Sequence, residues 1–385
     1  MINLTLAPIP KWTQIIKAIM NQPLSLDKLA GQWKEKNEKG YWLSRSTWSI
    51  YLIVNFRLIT SKKTKINLWL PDYFCNEALA AIRSLDVNLS FYPVLSNGRP
   101  DLADCNKMLS DGLPDVILYV NYFGESLFSK GLSDLAKKNK AWLIEDSAHC
   151  LKPASGIGNH GDFVIYSPHK FLSIPDGALL VIRNTGPNKI TNEFLENSDF
   201  DSHYYSVINN GTPSKIISFK WLFKRLIQKI GLQLFHNLQV FNSDADISSI
   251  KQLPHPKMSK VAQSFLSNAP NLELEAVHRK EIQMAWCKIL DNDISLKGLK
   301  INQSKITYTP YLAKIRTSGR ASSEDIFNFF QNLKLPISTW PDLSPEVLQD
   351  SVRHKIAINL RLSCIFFPVH SSINLQKLRS KIRRV

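Results

Sequence analysis

Nowhere in its 385 residues does the chain carry an apolar run approaching the roughly 20 residues that a membrane-spanning helix needs. Cysteine is scarce: five residues, at positions 75, 105, 150, 287 and 364, an odd number without C-x-x-C spacing. That excludes a disulfide framework and a zinc site, and suits a reducing compartment. No zinc finger, RNA-binding sheet motif or GxxG loop occurs, and no internal repeat or low-complexity tract stands out. The segment Met1–Lys17 has prolines at 8 and 10 and lacks the basic start and apolar core of a signal peptide, so a cytoplasmic location is expected.

What is present is an ordinary globular balance, 44% hydrophobic and 21% charged, which leaves no reason to expect extensive disorder. The charge is the exception: 48 Lys and Arg stand against 32 Asp and Glu, a formal +16. Such an excess suits nucleic acid, an anionic membrane surface or anionic small molecules. The lysines are spread along the chain and no nucleic-acid motif accompanies them, so a nucleic-acid partner is not expected.

Short apolar runs alternate with helical patterns between about residues 46 and 183. Strands are expected at Ile66–Leu70, Leu89–Val94, Val116–Val120, Trp142–Asp146, Asp162–Ser167 and Ala178–Ile182, and their nearly continuous apolar character suits strands covered on both faces. Helices are expected at Trp48–Ile59, Asn76–Leu85 and Ser129–Lys140. This alternation predicts an α/β layer with a mostly parallel sheet, in which ligands collect at the carboxyl ends of strands. Residues 198–213 read as a loop and 242–257 as a hinge. Between them, Lys215–Phe235 is a basic amphipathic stretch, with Ile216, Phe219, Phe223, Leu226, Ile230 and Leu234 near one face. It is either a surface helix packed on the large domain or an interfacial helix resting on anionic lipid. A long helix over Val261–Leu290, a strand over Ile306–Ile315 and a helix over Ser323–Leu333 complete a smaller α+β domain. The expected division is 1–245 and 246–385.

Two residues at strand ends carry the chemistry. Lys170 follows the strand Asp162–Ser167, and Asp146 closes the strand Trp142–Asp146. A lysine amine and a separate carboxylate at neighbouring strand ends are what pyridoxal phosphate (PLP) requires. The amine forms a Schiff base with the aldehyde, and the carboxylate keeps the pyridine nitrogen protonated so that the ring acts as an electron sink. A phosphate needs N–H groups and hydroxyls at a helix start. Ser46 and Thr47 precede the helix from Trp48, and Ser167 is the other hydroxyl.

A series of ordered segments resembles the DegT/DnrJ/EryC1/StrS family of sugar aminotransferases. Glu145-Asp146-Ser147-Ala148-His149 is similar to that family's Glu-Asp-Ala-Ala-Gln segment, and Gly161-Asp162 through Ser167 to its Gly-Asp strand ending in Ser-Phe. Lys170 followed by Asp176-Gly177-Ala178 is similar to its lysine followed by Glu-Gly-Gly. Ser46-Thr47-Trp48-Ser49-Ile50 resembles its Gly-Thr-Ala-Ala-Leu turn, and Leu70 through Cys75 its Val-Pro-aromatic segment. Val120 through Gly124, Trp340-Pro341 and Phe367-Pro368-Val369-His370 extend the series, which spans roughly residues 40 to 370 in shared order.

The resemblance implies the aspartate-aminotransferase (type I) fold: a large domain with a mostly parallel sheet of the seven-stranded type, flanked by helices, and a smaller C-terminal α+β domain. It also implies PLP as cofactor, a homodimer, and transfer of an amino group from an amino acid such as glutamate to a nucleotide-linked keto-sugar. Carried over residue by residue, Lys170 and Asp146 are catalytic. Phe74, with Tyr73 next, covers the ring face, His149 stands near the phenolic oxygen where glutamine is usual, and Ser46, Thr47 and Ser167 hold the phosphate. Departures are visible. The segment from Ser167 to Lys170 is two residues shorter than usual, and Lys257-Met258-Ser259 occupies the place of an Asn-Tyr-Arg motif that normally reaches the phosphate from the second subunit. Dehydratases of the family replace the lysine with histidine, and His169 is adjacent; the register to Asp176-Gly177 selects Lys170. A dehydratase and a non-catalytic, membrane-associated relative are the alternative readings.

Overall fold

The computed structural model describes residues 4–189, 199–211, 215–230, 241, 253–292 and 308–382. Seven strands, β1 (Lys39–Leu43), β2 (Ile66–Pro71), β3 (Val87–Tyr92), β4 (Val116–Val120), β5 (Trp142–Ser147), β6 (Phe163–Tyr166) and β7 (Ala178–Ile182), form one sheet in the order β1-β7-β6-β5-β4-β2-β3. The pairings from β3 to β6 are parallel, and β7 lies antiparallel to both β6 and β1. A second, antiparallel sheet of β8 (Leu312–Arg316), β9 (Ser338–Thr339) and β10 (Cys364–Pro368) has the order β8-β10-β9. The first five helices are α1 (Trp12–Met20), α2 (Leu26–Ala30), α3 (Ser46–Ser61), α4 (Leu102–Met108) and α5 (Lys130–Lys138). Then follow α6 (Phe200–Asn209), α7 (Lys215–Lys229), α8 (Lys260–Ser267), α9 (Leu272–Asn292), α10 (Arg320–Asn332), α11 (Pro345–Gln349), α12 (Lys355–Ser363) and α13 (Leu375–Ile382).

The central strands are buried on both faces, as their unbroken apolar character requires. In β6, Phe163 and Ile165 join the core formed with α3, whereas Val164 and Tyr166 join the opposite core with Trp33, Trp42 and Phe265. A third core lies between β8–β10, α9 and α10, and Leu4 from the start of the chain packs into it. Met258, Ala262, Phe265, Leu266, Leu272 and Ala276 pack on the large sheet, so α8 and the start of α9 serve that sheet's second face.

Several local expectations are corrected. Strand β1 carries no strong apolar run, and it exists because β7 offers it an antiparallel partner. The stretch Asn76–Leu85 forms two 3₁₀ turns, Asn76–Leu79 and Ile82–Ser84, in place of one α-helix. The strand expected at Leu89–Val94 lies at Val87–Tyr92. The polar stretch read as a loop contains α6, whose Phe200, Tyr204 and Ile208 recur every fourth residue on one buried face; Phe200 meets Phe56 and Tyr41 edge-on. The long helix over Val261–Leu290 is broken at Asn268–Asn271, where Pro270 removes a backbone donor. The hinge at 242–257 falls mostly outside the described residues, as do 231–235 of the basic stretch and the start of the strand expected at Ile306.

Helix α7 packs by a different face from the one its periodicity suggests. Ser218, Trp221, Leu222 and Leu226 turn inward, the last three against the α8 core. Ile216, Ile217, Phe219, Phe223 and Ile230 are exposed beside the exposed Lys220 and Lys224. No described helix is long and apolar enough to cross a membrane.

The N-terminal segment is tied to the C-terminal one through His370, whose Nε2 donates to the Thr5 carbonyl at 2.7 Å. Burial holds this imidazole down to about 3. The unfolded chain takes up that proton near pH 6.5 while the folded chain refuses it, so stability tied to His370 is intact above that pH and drains away below it. Urea unfolding at pH 7 and pH 5 should show the stability gap between the wild type and His370→Gln shrinking by about 1–2 kcal/mol at the lower pH. A gap independent of pH would contradict the buried neutral imidazole.

Candidate active site

Four strand ends and one helix start converge. In the parallel register Asp146 of β5 lies beside Val120 of β4 and Ile165 of β6, and Ser147 lies beside Tyr166. Ser167 therefore stands one step beyond the end of the ladder, and the chain then tightens into the 3₁₀ turn Pro168–Lys170. On the other side of β6, the Gly177 N–H donates to the Ser44 carbonyl at 2.9 Å, joining the start of β7 to the residues just before α3. Gly177 has φ +132°, a left-handed conformation that a side chain would strain.

Lys170 is half-buried, and its amine makes no hydrogen bond or ion pair among the described residues. Burial lowers its pKa, and the nearby Asp146 charge offsets that only in part. Asp146 accepts the Ala148 N–H at 2.9 Å through one oxygen and leaves the other without a hydrogen bond. Burial raises its carboxyl, with Lys170 and the Ala148 bond acting against the rise. An amine made easier to deprotonate thus lies within electrostatic reach of a carboxylate that has one oxygen without a hydrogen bond among the described residues. Cys75 is close enough to influence Lys170, but burial pushes its thiol up to about 11, which keeps it protonated at neutral pH.

His149 is buried and lies flat against Tyr311, the ring centroids 4.6 Å apart. Its pKa is driven far below the ordinary value by burial and by the Lys170 charge, so the ring is neutral. The Phe123 N–H points at Nδ1 from 3.5 Å, which leaves the proton on Nε2 as a donor. Tyr311 is held there because its own N–H donates to the Phe123 carbonyl, and Lys170 Nζ lies 5.8 Å from its ring centre. The close approach needs Gly124 at φ +95°: a Cβ there would lie 2.2 Å from the Thr309 carbonyl oxygen.

The adjacent histidine is committed elsewhere. His169 directs both its backbone N–H and Nδ1 at the Gly177 carbonyl, at 3.4 and 2.9 Å, and burial with the charge of Arg45 keeps it neutral. It braces the turn that presents Lys170. Glu145 is a second brace: its carboxylate accepts from Asn121, Ser147, and the N–H groups of Gly158, His160 and Gly161, fixing the loop between β5 and β6.

The remaining sequence candidates divide. Ser167 Oγ is wholly buried with no partner, on the strand face that Phe163 and Ile165 turn toward α3. Ser46 is the first residue of α3 and its hydroxyl is uncommitted, whereas Thr47 Oγ1 already donates to the Ala78 carbonyl at 2.8 Å, so only its backbone N–H remains to offer. Phe74 is buried without a ring partner, while Tyr73 stacks on Trp340 at 4.3 Å. Those contacts leave Phe74 the better of the two for covering a ligand ring.

Three further residues escaped the sequence reading. Arg45 caps the start of α3 with its backbone and has a half-buried guanidinium without a hydrogen bond or ion pair among the described residues. Its signal was adjacency to Ser46-Thr47. Tyr311 reaches the site from 141 positions beyond Lys170, with no local motif to mark it. Arg279 is fully buried on α9, paired with Glu275 at 2.9 Å, and donates to the carbonyls of Phe171 and Tyr311. It clamps the turn after Lys170 to the ring over His149; only its i, i+4 spacing from Glu275 was legible.

No family model and no curated protein matches the chain by sequence. Solved structures do. A sugar aminotransferase from Streptococcus pneumoniae, Spr1654 in its PMP form, is 12% identical with a TM-score of 0.67, covering 99% of this chain and 98% of its own. Helicobacter pylori PseC, an aminotransferase of pseudoaminic acid biosynthesis, is 13% identical with a TM-score of 0.67 and the same coverage. GDP-4-keto-6-deoxymannose-3-dehydratase (ColD), in a structure with bound GDP-perosamine, is 11% identical with a TM-score of 0.63, covering 99% of this chain and all of its own. The chain therefore has the fold of these enzymes over its full length, as the ordered motifs implied.

Proposed function

We propose that the chain is a PLP-dependent aminotransferase that converts a nucleotide-linked keto-sugar to an amino-sugar, with an amino acid, glutamate in the first instance, as donor. The observation that carries this reading is the Lys170 amine, unpaired among the described residues, at a turn just past one strand end and within electrostatic reach of Asp146 at the end of the neighbouring strand. The site fits the cofactor on its own terms. The orphaned Ser167 hydroxyl and the start of α3 await an anion, Asp146 awaits a donor, and His149 offers one. The solved structures of the same fold include PLP and PMP forms of a sugar aminotransferase and an enzyme with its TDP-sugar product, which supports the substrate class.

When bound, PLP supplies an electron sink that stabilises negative charge at the substrate carbon. The residues have separable tasks. Lys170 would hold the cofactor through its amine and would serve as the base that moves the substrate proton; burial makes that amine easier to deprotonate. Asp146 keeps a proton at the ring nitrogen. His149 donates through Nε2 toward the phenolic oxygen, and Phe74 covers the ring. Ser46, Ser167 and the N–H groups at the start of α3 take the phosphate, with Thr47 contributing through its backbone. The excess positive charge favours a diphosphate-bearing substrate. A homodimer and a cytoplasmic location belong to the same proposal.

Purified protein should be yellow or become so with PLP, and borohydride should fix the cofactor to the peptide containing Lys170. Added glutamate should convert the absorbance to that of the amine form, and Lys170→Ala should abolish turnover with the fold retained. A protein that takes up no PLP refutes the catalytic reading. One that binds PLP but forms no amino-sugar from a nucleotide-linked keto-sugar favours the dehydratase alternative that the likeness to ColD raises. The exposed apolar and lysine-bearing face of α7 supports a peripheral contact through 215–235; flotation with anionic but not neutral vesicles at physiological salt is expected, and absence of flotation removes that contact.

A further inference from the structure

Arg45 is an unusual residue to find at the mouth of a helix. Helix α3 is 16 residues long, has no acidic residue in its first turn, and takes no side-chain cap from Arg45, whose backbone is extended at φ −142°, ψ 155°. The Trp48 N–H donates to the Arg45 carbonyl, but no side chain caps the N–H groups of Ser46 and Thr47 or offsets the positive end of the dipole within the first turn. A cation in that position works against the dipole, and burial works against the cation, so the local arrangement costs stability unless an anion joins it. Protein acids do not fill that role. Asp176 and Glu77 are near enough to raise the guanidinium's pKa but neither forms an ion pair with it, and Asp176 already accepts the Ser259 N–H.

A second observation points to the same spot. Ser167 Oγ has no partner although the residue is wholly buried, and it lies on the face of β6 that looks toward α3. The Gly177-to-Ser44 and His169-to-Gly177 hydrogen bonds bind the Lys170 turn, which Ser167 opens, to the residue preceding Arg45, so the start of α3 and that turn are held together. The charge of Arg45 is felt at both His169 and Lys170.

We infer that Arg45, with Ser167 and the first N–H groups of α3, forms a phosphate-dianion site within the subunit that carries Lys170. This deepens the proposed function and rests on it for the bearer of the phosphate, the cofactor. It also accounts for the departure at Lys257-Met258-Ser259. Pro256 accepts the Ser44 N–H and Ser259 donates to Asp176, so this segment buttresses the approach to α3 from within the same chain while the cation comes from Arg45.

The test compares PLP with pyridoxal, the same aldehyde without the phosphate, by titrating cofactor-stripped protein and following absorbance and tryptophan fluorescence. Arg45→Ala and Arg45→Gln should weaken PLP binding by about 10- to 100-fold, the loss expected for charge-assisted hydrogen bonds, and leave pyridoxal binding unchanged. Arg45→Lys should recover part of the loss. Unchanged PLP affinity in the variants overturns the inference, and so does an equal loss for both aldehydes, which would make Arg45 a structural partner of Asp176 and Glu77. Should the wild type bind neither aldehyde, the proposed function fails, and inorganic phosphate then decides the Arg45 site. Thermal stabilisation by phosphate at constant ionic strength, present in the wild type and absent in Arg45→Gln, upholds it; equal response in both overturns it.

Discussion

Placing one amine where water solvates it poorly, with Asp146 as the strongest neighbouring charge and no hydrogen bond among the described residues to settle it, is the constraint on which the proposed site depends. Lys170 could have been paired outright, and a paired lysine would be held charged and inert. Here burial outweighs the attraction of Asp146, and the amine's pKa falls. The same burial raises Asp146, so each group is less firmly charged than it would be in water. A less firmly charged amine is easier to deprotonate, and the free amine is the form that attacks a carbonyl.

Much of the surrounding structure serves to keep that arrangement from relaxing. Glu145 collects donors from three backbone positions and two side chains, fixing the β5–β6 loop so that Asp146 cannot swing toward them. His169 spends its ring on Gly177, and Arg279 reaches across from α9 to hold the Phe171 carbonyl, so the short turn carrying Lys170 is gripped from both sides. Because Arg279 also holds the Tyr311 carbonyl, the turn and the ring stacked on His149 are positioned by one buried cation. The short Ser167-to-Lys170 segment is a single 3₁₀ turn, whose tight i→i+3 closure reverses the chain within three residues.

The sheet was legible because its central strands are apolar throughout, and Asp146 and Lys170 were legible because each is a polar residue closing such a run. What escaped has physical reasons. Strand β1 and helix α6 depend on partners far along the chain: Tyr41 meets Phe200 and Tyr204, and neither segment has a local pattern strong enough to announce itself. The face of α7 was misassigned because Ile216, Phe219 and Phe223 have helical spacing yet lie exposed, while Trp221 and Leu222 do the packing. Thr47 looked available by its place at a helix start; only the distance to Ala78 reveals that its proton is spent. Arg45 and Tyr311 owe their significance to neighbours that sequence order does not bring near.

The central claim concerns the Lys170 amine itself, and its titration tests that claim most directly. Trace acetylation of the cofactor-free protein over a range of pH, read at the Lys170 peptide by mass spectrometry, reports when that amine becomes nucleophilic. Its midpoint should lie below the ordinary lysine value of about 10.4, and in Asp146→Asn, which removes the strongest of the nearby charges that favour the ammonium form, it should fall further. A midpoint at the ordinary value that Asp146→Asn leaves in place would contradict the account.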